Sequence, residues 1–255
     1  MTQYSLSTLF FSELVGTMLL LLLGVGVSAN TTLKRSFGHG HDWLLIAFGW
    51  GFGVFVGASV AWRSGANLNP AVTLQQAFTG SLPWSYVPLY LVAQLIGAML
   101  GALLAYLAYK KQFDTHDDPA NTGGIFFTSA AVRAPGWNLT TEAIGTFVLL
   151  LWVHESSPFQ FGVGDAAPQF GNSALGYAAV AFTVIAIGAS LGGPTGYAIN
   201  PFRDLGPRIV YTFLPIKEKG SSQWGYSWVP IVGPLLGVVA ALLFYLSLGN
   251  TSPAS

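Results

Sequence analysis

The chain has 255 residues, of which 52% are hydrophobic and 8% charged, with no net charge and no cysteine. Soluble domains carry about 25% charged residues, so this composition indicates a protein whose solvent is a lipid bilayer. The neutral charge balance argues against a nucleic-acid partner, and the absence of cysteine excludes disulfides and thiol chemistry.

Six apolar runs are long enough to cross a bilayer, which takes about 20 residues. They lie at roughly 8–29, 43–62, 86–109, 138–154, 174–192 and 228–248. No Lys or Arg precedes the first run, and Glu13 lies inside it, so we expect a retained span rather than a signal peptide. The connection Pro158 to Asn172 contains Gly, Pro and Ser and is expected to form a loop.

Two shorter segments interrupt this series, and each begins with Asn-Pro. Asn69 to Phe78 follows the second run, and Asn200 to Phe213 follows the fifth. Asn caps the first free N–H groups of a helix, and Pro fits the first helical position because it has no N–H to leave unpaired. Both segments are too short to span. They predict two half-helices that begin inside the membrane, a feature typical of channels and transporters.

The two halves of the chain repeat one another. Glu142 lies 129 positions after Glu13 in a similar local sequence, and the two Asn-Pro pairs are 131 positions apart. An odd number of spans in each half gives the halves opposite orientations. We therefore expect one domain over 1–255, built from inverted repeats at approximately 1–115 and 130–255, with its functional site near the midplane.

The sequence around each Asn-Pro pair resembles the paired signatures of the major intrinsic protein family, the aquaporins and glycerol facilitators. The matching segments are 65–73 and 196–207, and the resemblance covers nearly the whole chain. It implies an all-α membrane protein of aquaporin-like fold, with six transmembrane helices and two re-entrant half-helices. Segments 131–133, 206–209 and 214–217 are similar to a glycerol-facilitator branch found in lactic acid bacteria.

Asn69 and Asn200 are the candidate residues of the pore midplane. We expect each side-chain oxygen to accept an N–H of its own half-helix and each NH₂ group to point into the lumen. The positive ends of both half-helix dipoles meet at the same level and repel cations. The alternative is ordinary capping of a turn.

The resemblance implies a selectivity filter made of Trp50, Gly188, Tyr197 and Arg203, with Phe48 as a weaker alternative to Trp50. Arg203 is expected to be a fixed donor and cation barrier rather than to snorkel to the interface. Trp and Gly leave an amphipathic slot that suits a polyol, whereas a water-only channel would place a His opposite the Arg. Tyr197 stands where glycerol facilitators usually have Phe, which makes the ring more polar.

Three further residues have two interpretations each. Phe202 replaces the Ala of the second motif and either packs into neighbouring spans or lines the pore. The resemblance implies that Glu13 and Glu142 are loop buttresses, accepting N–H groups near 65–67 and 195–197, which lack helical bonds. In a proton-coupled carrier the same carboxylates would bind protons or sodium.

The sequence thus predicts a passive channel for glycerol and other small uncharged solutes, including dihydroxyacetone and protonated lactic acid, and for water. A selective water channel is one alternative, and a proton-coupled carrier is a less favoured one. No nucleophile–base pair or cofactor motif stands out, so we expect neither an enzyme nor a cofactor. No metal site is expected because the histidines lack helical metal-ligand spacing. These are His39, His41, His116 and His154.

The expected location is a bacterial plasma membrane, which the chain crosses several times in contact with lipid. The family resemblance further implies cytoplasmic termini and a homotetrameric assembly. That orientation leaves only Arg63 on the cytoplasmic side and places the other Lys and Arg residues outside or within the half-helix region. This distribution opposes the positive-inside rule, so the orientation needs a direct test.

Overall fold

The computed structural model describes residues 4–156 and 175–248, and all the regular structure within these ranges is helical. The loop expected over 158–172 lies outside the described residues. The helices are α1 Leu6–Thr32, α2 Trp43–Val60, α3 Pro70–Phe78, α4 Val87–Ala108, α5 Lys110–Asp114, α6 Gly123–Phe126, α7 Pro135–Glu155, α8 Leu175–Leu191, α9 Pro201–Phe213 and α10 Val229–Ser247.

Six long helices lie at the six apolar runs, namely α1, α2, α4, α7, α8 and α10. Within the described ranges, four helical stretches are long and apolar enough to cross a membrane by length and composition alone: Leu6–Thr32, Trp43–Val60, Trp84–Ala108 and Trp224–Ser247. The helix α8 is apolar but shorter, and α7 carries buried polar side chains, including Asn138 and Glu142. The predicted six long helices and two half-helices are therefore present, and α5 and α6 are two further short helices that were not predicted.

The half-helices α3 and α9 begin where the Asn-Pro pairs predicted. The Oδ1 atom of Asn69 accepts the N–H of Ala71 at 2.9 Å. The Oδ1 atom of Asn200 accepts the N–H groups of Phe202 and Arg203 at 3.0 and 3.2 Å. Each cap satisfies N–H groups that have no partner within the helix, which matters most away from water.

Close helix packing depends on glycines at the contact points. The helix α1 packs on α2 and α4, while α7 packs on α10. A Cβ on Gly16 would lie 2.8 Å from the carbonyl oxygen of Gly57, and one on Gly237 would lie 2.8 Å from that of Ala143. Small residues allow backbones to approach in this way, and such packing drives helix association in lipid.

Each half-helix packs against spans from the other half of the chain. The helix α3 contacts α7 and α10, and α9 contacts α4. The starts of α3 and α9 also meet each other. This exchange places both Asn-Pro motifs in the interior, between the two halves, and so builds the candidate site.

Candidate functional site

Each of the two asparagines binds the backbone just before the other one. The Nδ2 atom of Asn69 donates to the carbonyl oxygen of Ile199, and Nδ2 of Asn200 donates to that of Leu68, both at 2.9 Å. Both NH₂ groups were expected to point into the lumen, and the structure corrects this for one N–H of each amide. Each NH₂ carries two N–H donors, and one of them binds the opposite segment. The second N–H of each amide is left for the cavity, which both asparagines line.

The segments that lead into the half-helices have matching, unusual backbone conformations. Three residues in each have φ in the left-handed region, and the second set lies 131 positions after the first. They are Gly65 (81°), Ala66 (54°) and Leu68 (53°), then Gly196 (80°), Tyr197 (38°) and Ile199 (42°). A residue other than Gly held in this region costs about 1–3 kcal/mol, so other contacts must hold these segments in place.

Glu13 is fully buried and binds the first of these segments. Its Oε1 accepts Ser64 Oγ at 2.6 Å and the N–H of Asn67 at 2.9 Å. Its Oε2 accepts the N–H of Leu68 at 2.8 Å and Gln94 Nε2 at 2.7 Å. Backbone donors were expected near 65–67, and the observed donors are the N–H groups of residues 67 and 68.

Glu142 occupies the matching place beside the second segment, with fewer partners. Its two oxygens accept the N–H groups of Ala198 and Ile199, each at 2.9 Å. Donors were expected near 195–197, and the observed donors are the next two residues along the chain. Within the described residues, Glu142 accepts two hydrogen bonds where Glu13 accepts four.

These N–H contacts also orient the carbonyl groups. The peptide bonds are trans, and in a trans peptide the N–H and C=O point in opposite directions. The carbonyls of Ala66 and Asn67 therefore turn away from Glu13. Those of Tyr197 and Ala198 turn away from the second carboxylate in the same way. All four residues line the central cavity, so the arrangement provides it with acceptors.

The central cavity lies between the two approach segments and has a volume of about 240 Å³. Its lining mixes apolar side chains with a few polar ones. The apolar part includes Leu20, Val54, Val72, Leu149, Val153 and Val184, and the polar side chains include Gln76, Tyr177 and Arg203.

Arg203 lies at the cavity, stacked on Trp50. Its guanidinium carbon is 3.6 Å from the Trp50 ring centroid, and its Nη1 donates to the carbonyl oxygen of Phe126 at 3.3 Å. The side chain is 8% exposed, so it does not snorkel. Trp50 was expected to leave a slot together with Gly188, and the structure shows that it also contacts Arg203 directly. Trp50 is itself held by Ser28, whose Oγ accepts its Nε1 at 3.1 Å, while the absence of a side chain at Gly24 makes room for the indole.

Tyr197 lines the cavity, but Gly188 is not among the lining residues. A Cβ at Gly188 would lie 2.7 Å from Cζ of Tyr197 and 3.0 Å from its hydroxyl oxygen. Gly188 therefore lies behind the Tyr197 ring, and this corrects the expectation that it borders the lumen directly. The Tyr197 hydroxyl is buried and has no hydrogen-bond partner among the described residues.

The two open questions about aromatic residues have clear answers in the structure. Phe202 is partly buried, packs against the main hydrophobic core and is absent from the cavity lining. Phe48 is 38% exposed and packs on Phe52, with the ring centroids 5.9 Å apart. Trp50, and not Phe48, is therefore the aromatic residue that α2 contributes to the cavity.

Comparison with known proteins agrees with this architecture. The family model described as Major intrinsic protein matches residues 1–245. The chain belongs to the major intrinsic protein family. The resemblance and the fold class that were inferred from the sequence are thereby confirmed.

Relatives within the family cover almost the whole chain. The glycerol uptake facilitator protein of Bacillus subtilis (strain 168) is 47% identical over 239 residues, covering 93% of this chain and 84% of that protein. Glycerol uptake facilitator protein 3 of Lactiplantibacillus plantarum is 44% identical over 246 residues, covering 96% and 98%. The X-ray structure of the aquaglyceroporin from Plasmodium falciparum superposes with a TM-score of 0.74 at 30% identity, covering 94% of this chain and 96% of that one.

Two residues that hydrogen-bond to the filter candidates lie outside the family motifs and were not predicted to do so. Ser28 is 22 positions from Trp50, and the carbonyl of Phe126 is 77 positions from Arg203. A serine in an apolar helix and a backbone carbonyl look unremarkable in a sequence.

Proposed function

We propose that this member of the major intrinsic protein family is a passive transmembrane channel for glycerol and other small uncharged solutes, with water also passing. The observation that carries the proposal is the cavity where the two half-helices begin. It combines apolar side chains with amide donors, carbonyl acceptors and one arginine. Relatives with the name glycerol uptake facilitator support the same solute class. Family membership supports a channel rather than an enzyme.

A polyol matches this lining on both of its faces. Moving a hydroxyl out of water without a new hydrogen bond costs roughly 2–7 kcal/mol, so each hydroxyl needs a partner in the cavity. The free N–H of Asn69 and of Asn200 can donate to the solute, and the carbonyls of the approach segments can accept from it. The carbon chain of the solute meets apolar side chains such as Val72 and Val184.

The same groups oppose the passage of cations. Arg203 places a fixed positive charge in the lining, and each half-helix presents an N-terminal end equivalent to about +0.5 charge. A cation would lose its water shell and meet repulsion at the midplane. Neutral solutes lose less on entering, so the barrier acts selectively on charge.

We propose that Trp50, Tyr197 and Arg203 form the selectivity filter, with Gly188 making room for the Tyr197 ring. The guanidinium of Arg203 is a donor beside the cavity. It suits solutes that present a carbonyl oxygen as well as hydroxyls. Dihydroxyacetone and protonated lactic acid have that chemistry, and we propose them as further permeants.

Glu13 and Glu142 are proposed to be loop buttresses. Neither carboxylate is among the cavity-lining residues, and both are occupied by N–H donors of the approach segments. A proton-coupled carrier would need at least one of them to exchange a proton with the transported solute or its pathway. Their positions behind the lining favour the passive channel.

Stopped-flow swelling of proteoliposomes tests the function. We expect glycerol, dihydroxyacetone and water to enter faster than in empty vesicles, and lactic acid to enter at low but not neutral pH, where it is ionised. Rapid water flow without glycerol flow would instead establish a selective water channel. Saturable uptake that an uncoupler abolishes would establish a carrier, and no flow above empty vesicles would refute the proposal.

The proposed assembly is a homotetramer with one pore in each protomer, since each chain carries both half-helices. Cross-linking in native membranes tests the number of subunits. We further propose that the single domain consists of inverted repeats and lies in the bacterial plasma membrane with cytoplasmic termini. Protease accessibility of a C-terminal tag in intact cells tests the orientation, which an external tag would refute.

A further inference from the structure

Trp43, the first residue of α2, connects two elements next to the filter. Its indole Nε1 donates to the carbonyl oxygen of Gly188 at 2.7 Å. The indole also packs edge-on against the Tyr197 ring, with the centroids 5.7 Å apart and the planes at 79°. The Trp43 side chain therefore binds the last turn of α8 and also contacts Tyr197, which lines the cavity.

The Tyr197 ring lies in a slot with little free space. A Cβ at Gly192 would lie 2.6 Å from Cδ1 of Tyr197 and 2.7 Å from Cζ2 of Trp43, so both rings depend on the bare backbone there. Gly188 closes the slot at the Cζ end of the ring. The Trp43 indole borders the slot as well, through its edge contact with the Tyr197 ring. The hydroxyl of Tyr197 has no partner within the described residues, so packing, and not a hydrogen bond, fixes its direction.

We propose that Trp43 is a specificity-determining positioning residue, which holds the Tyr197 ring in its slot and thereby sets the width of the filter. The proposal rests on the proposed function, because it assigns a support to one member of the proposed filter. Trp43 itself is absent from the cavity lining and acts through Tyr197. The indole lies against the Tyr197 ring, so its removal opens a space into which that ring can move.

The test compares permeability to a four-carbon polyol, erythritol, with permeability to glycerol in proteoliposomes. The variant Trp43→Ala should raise the erythritol-to-glycerol ratio about threefold or more, the scale of one lost aromatic pair. In a Tyr197→Ala background the same change should leave the ratio unmoved, because the residue through which Trp43 acts is gone. The matched control is Trp137→Ala, a tryptophan that is 76% exposed on α7, which should leave the ratio at the wild-type value.

Two results would overturn the proposal. One is an unchanged ratio in folded Trp43→Ala. The other is a shift of equal size with and without Tyr197, which would mean that Trp43 only fastens the end of α8. If Trp43→Ala cannot be purified in folded form, Trp43→Leu is judged by the same criteria. Wild-type protein that passes no glycerol would refute the proposed function instead, so the two failures are distinguishable.

Discussion

Replacing Glu13 by Gln should disturb the channel more than the same change at Glu142. Each oxygen of Glu13 accepts one backbone N–H and one side-chain donor. Whichever way the amide turns, the NH₂ of a Gln would face a backbone N–H that cannot turn, and the Ser64 hydroxyl or the Gln94 amide would lose its bond to the carboxylate and have to reverse. Each oxygen of Glu142 accepts one backbone N–H. Hydrogen bonds to a charged group contribute about 1.5–3 kcal/mol each. The expected losses are therefore about 3–6 kcal/mol for Glu13→Gln and about half that for Glu142→Gln.

The loss at Glu13 is comparable with the strain it opposes. Ala66 and Leu68 have left-handed φ values of 54° and 53°, at a cost of about 1–3 kcal/mol each. Once two of the four hydrogen bonds are gone, the first approach segment can relax to an ordinary conformation. Its carbonyls then leave the cavity, and glycerol permeability should fall together with stability.

Thermal unfolding of the solubilised protein and glycerol swelling of proteoliposomes measure both effects. The melting temperature of Glu13→Gln should drop by on the order of 10 °C, since about 1 kcal/mol corresponds to 2–4 °C in a domain of this size. The control is Glu155→Gln at the exposed end of α7, which should match the wild type. Wild-type stability and glycerol flux in Glu13→Gln, or a larger loss in Glu142→Gln, would refute the buttress reasoning.

Three further changes test other contacts. Arg203→Val should raise cation conductance in planar bilayers, because a unit charge at 4 Å contributes on the order of 4 kcal/mol at an effective dielectric of about 20; unchanged conductance would assign the barrier to the half-helix dipoles alone. Ser28→Ala removes the acceptor of Trp50 Nε1. It should lower the free energy of unfolding by about 1–3 kcal/mol and shift the glycerol-to-water permeability ratio. Ser28→Thr keeps a hydroxyl acceptor and should retain the wild-type stability and ratio. Asp204→Asn leaves the fully buried Arg208 without its ionic partner. The free energy of unfolding, measured by heat or denaturant, should fall by about 3–5 kcal/mol. A loss below about 1 kcal/mol would contradict this expectation.

The sequence predicted the helices well because their signals are local. Length and apolarity locate the spans, and Asn-Pro locates the starts of α3 and α9 to the residue. The position of Gly188 behind Tyr197 was not predictable from spacing, because a motif places residues along the chain and does not show which side chain lies in front. The bond of each asparagine NH₂ across the repeat also escaped prediction, since it joins segments about 130 positions apart.

The backbone of the site is close to symmetric, but its supports are not. The left-handed positions match between the halves, yet the first segment is held by the four contacts of Glu13, and the second by two contacts of Glu142. The half-helix α9 gains a second support, because Asp204 pairs with Arg208 and accepts both the N–H and the hydroxyl of Thr128 at 2.8 Å. Arg208 in turn donates to backbone carbonyls of the loop that leads to α10. Side chains of α9 therefore fix this half-helix to Thr128 and to the loop at 222–223, next to the proposed filter residue Arg203. Substitutions there should change selectivity and stability together, whereas those around Glu13 should act mainly through the shape of the backbone.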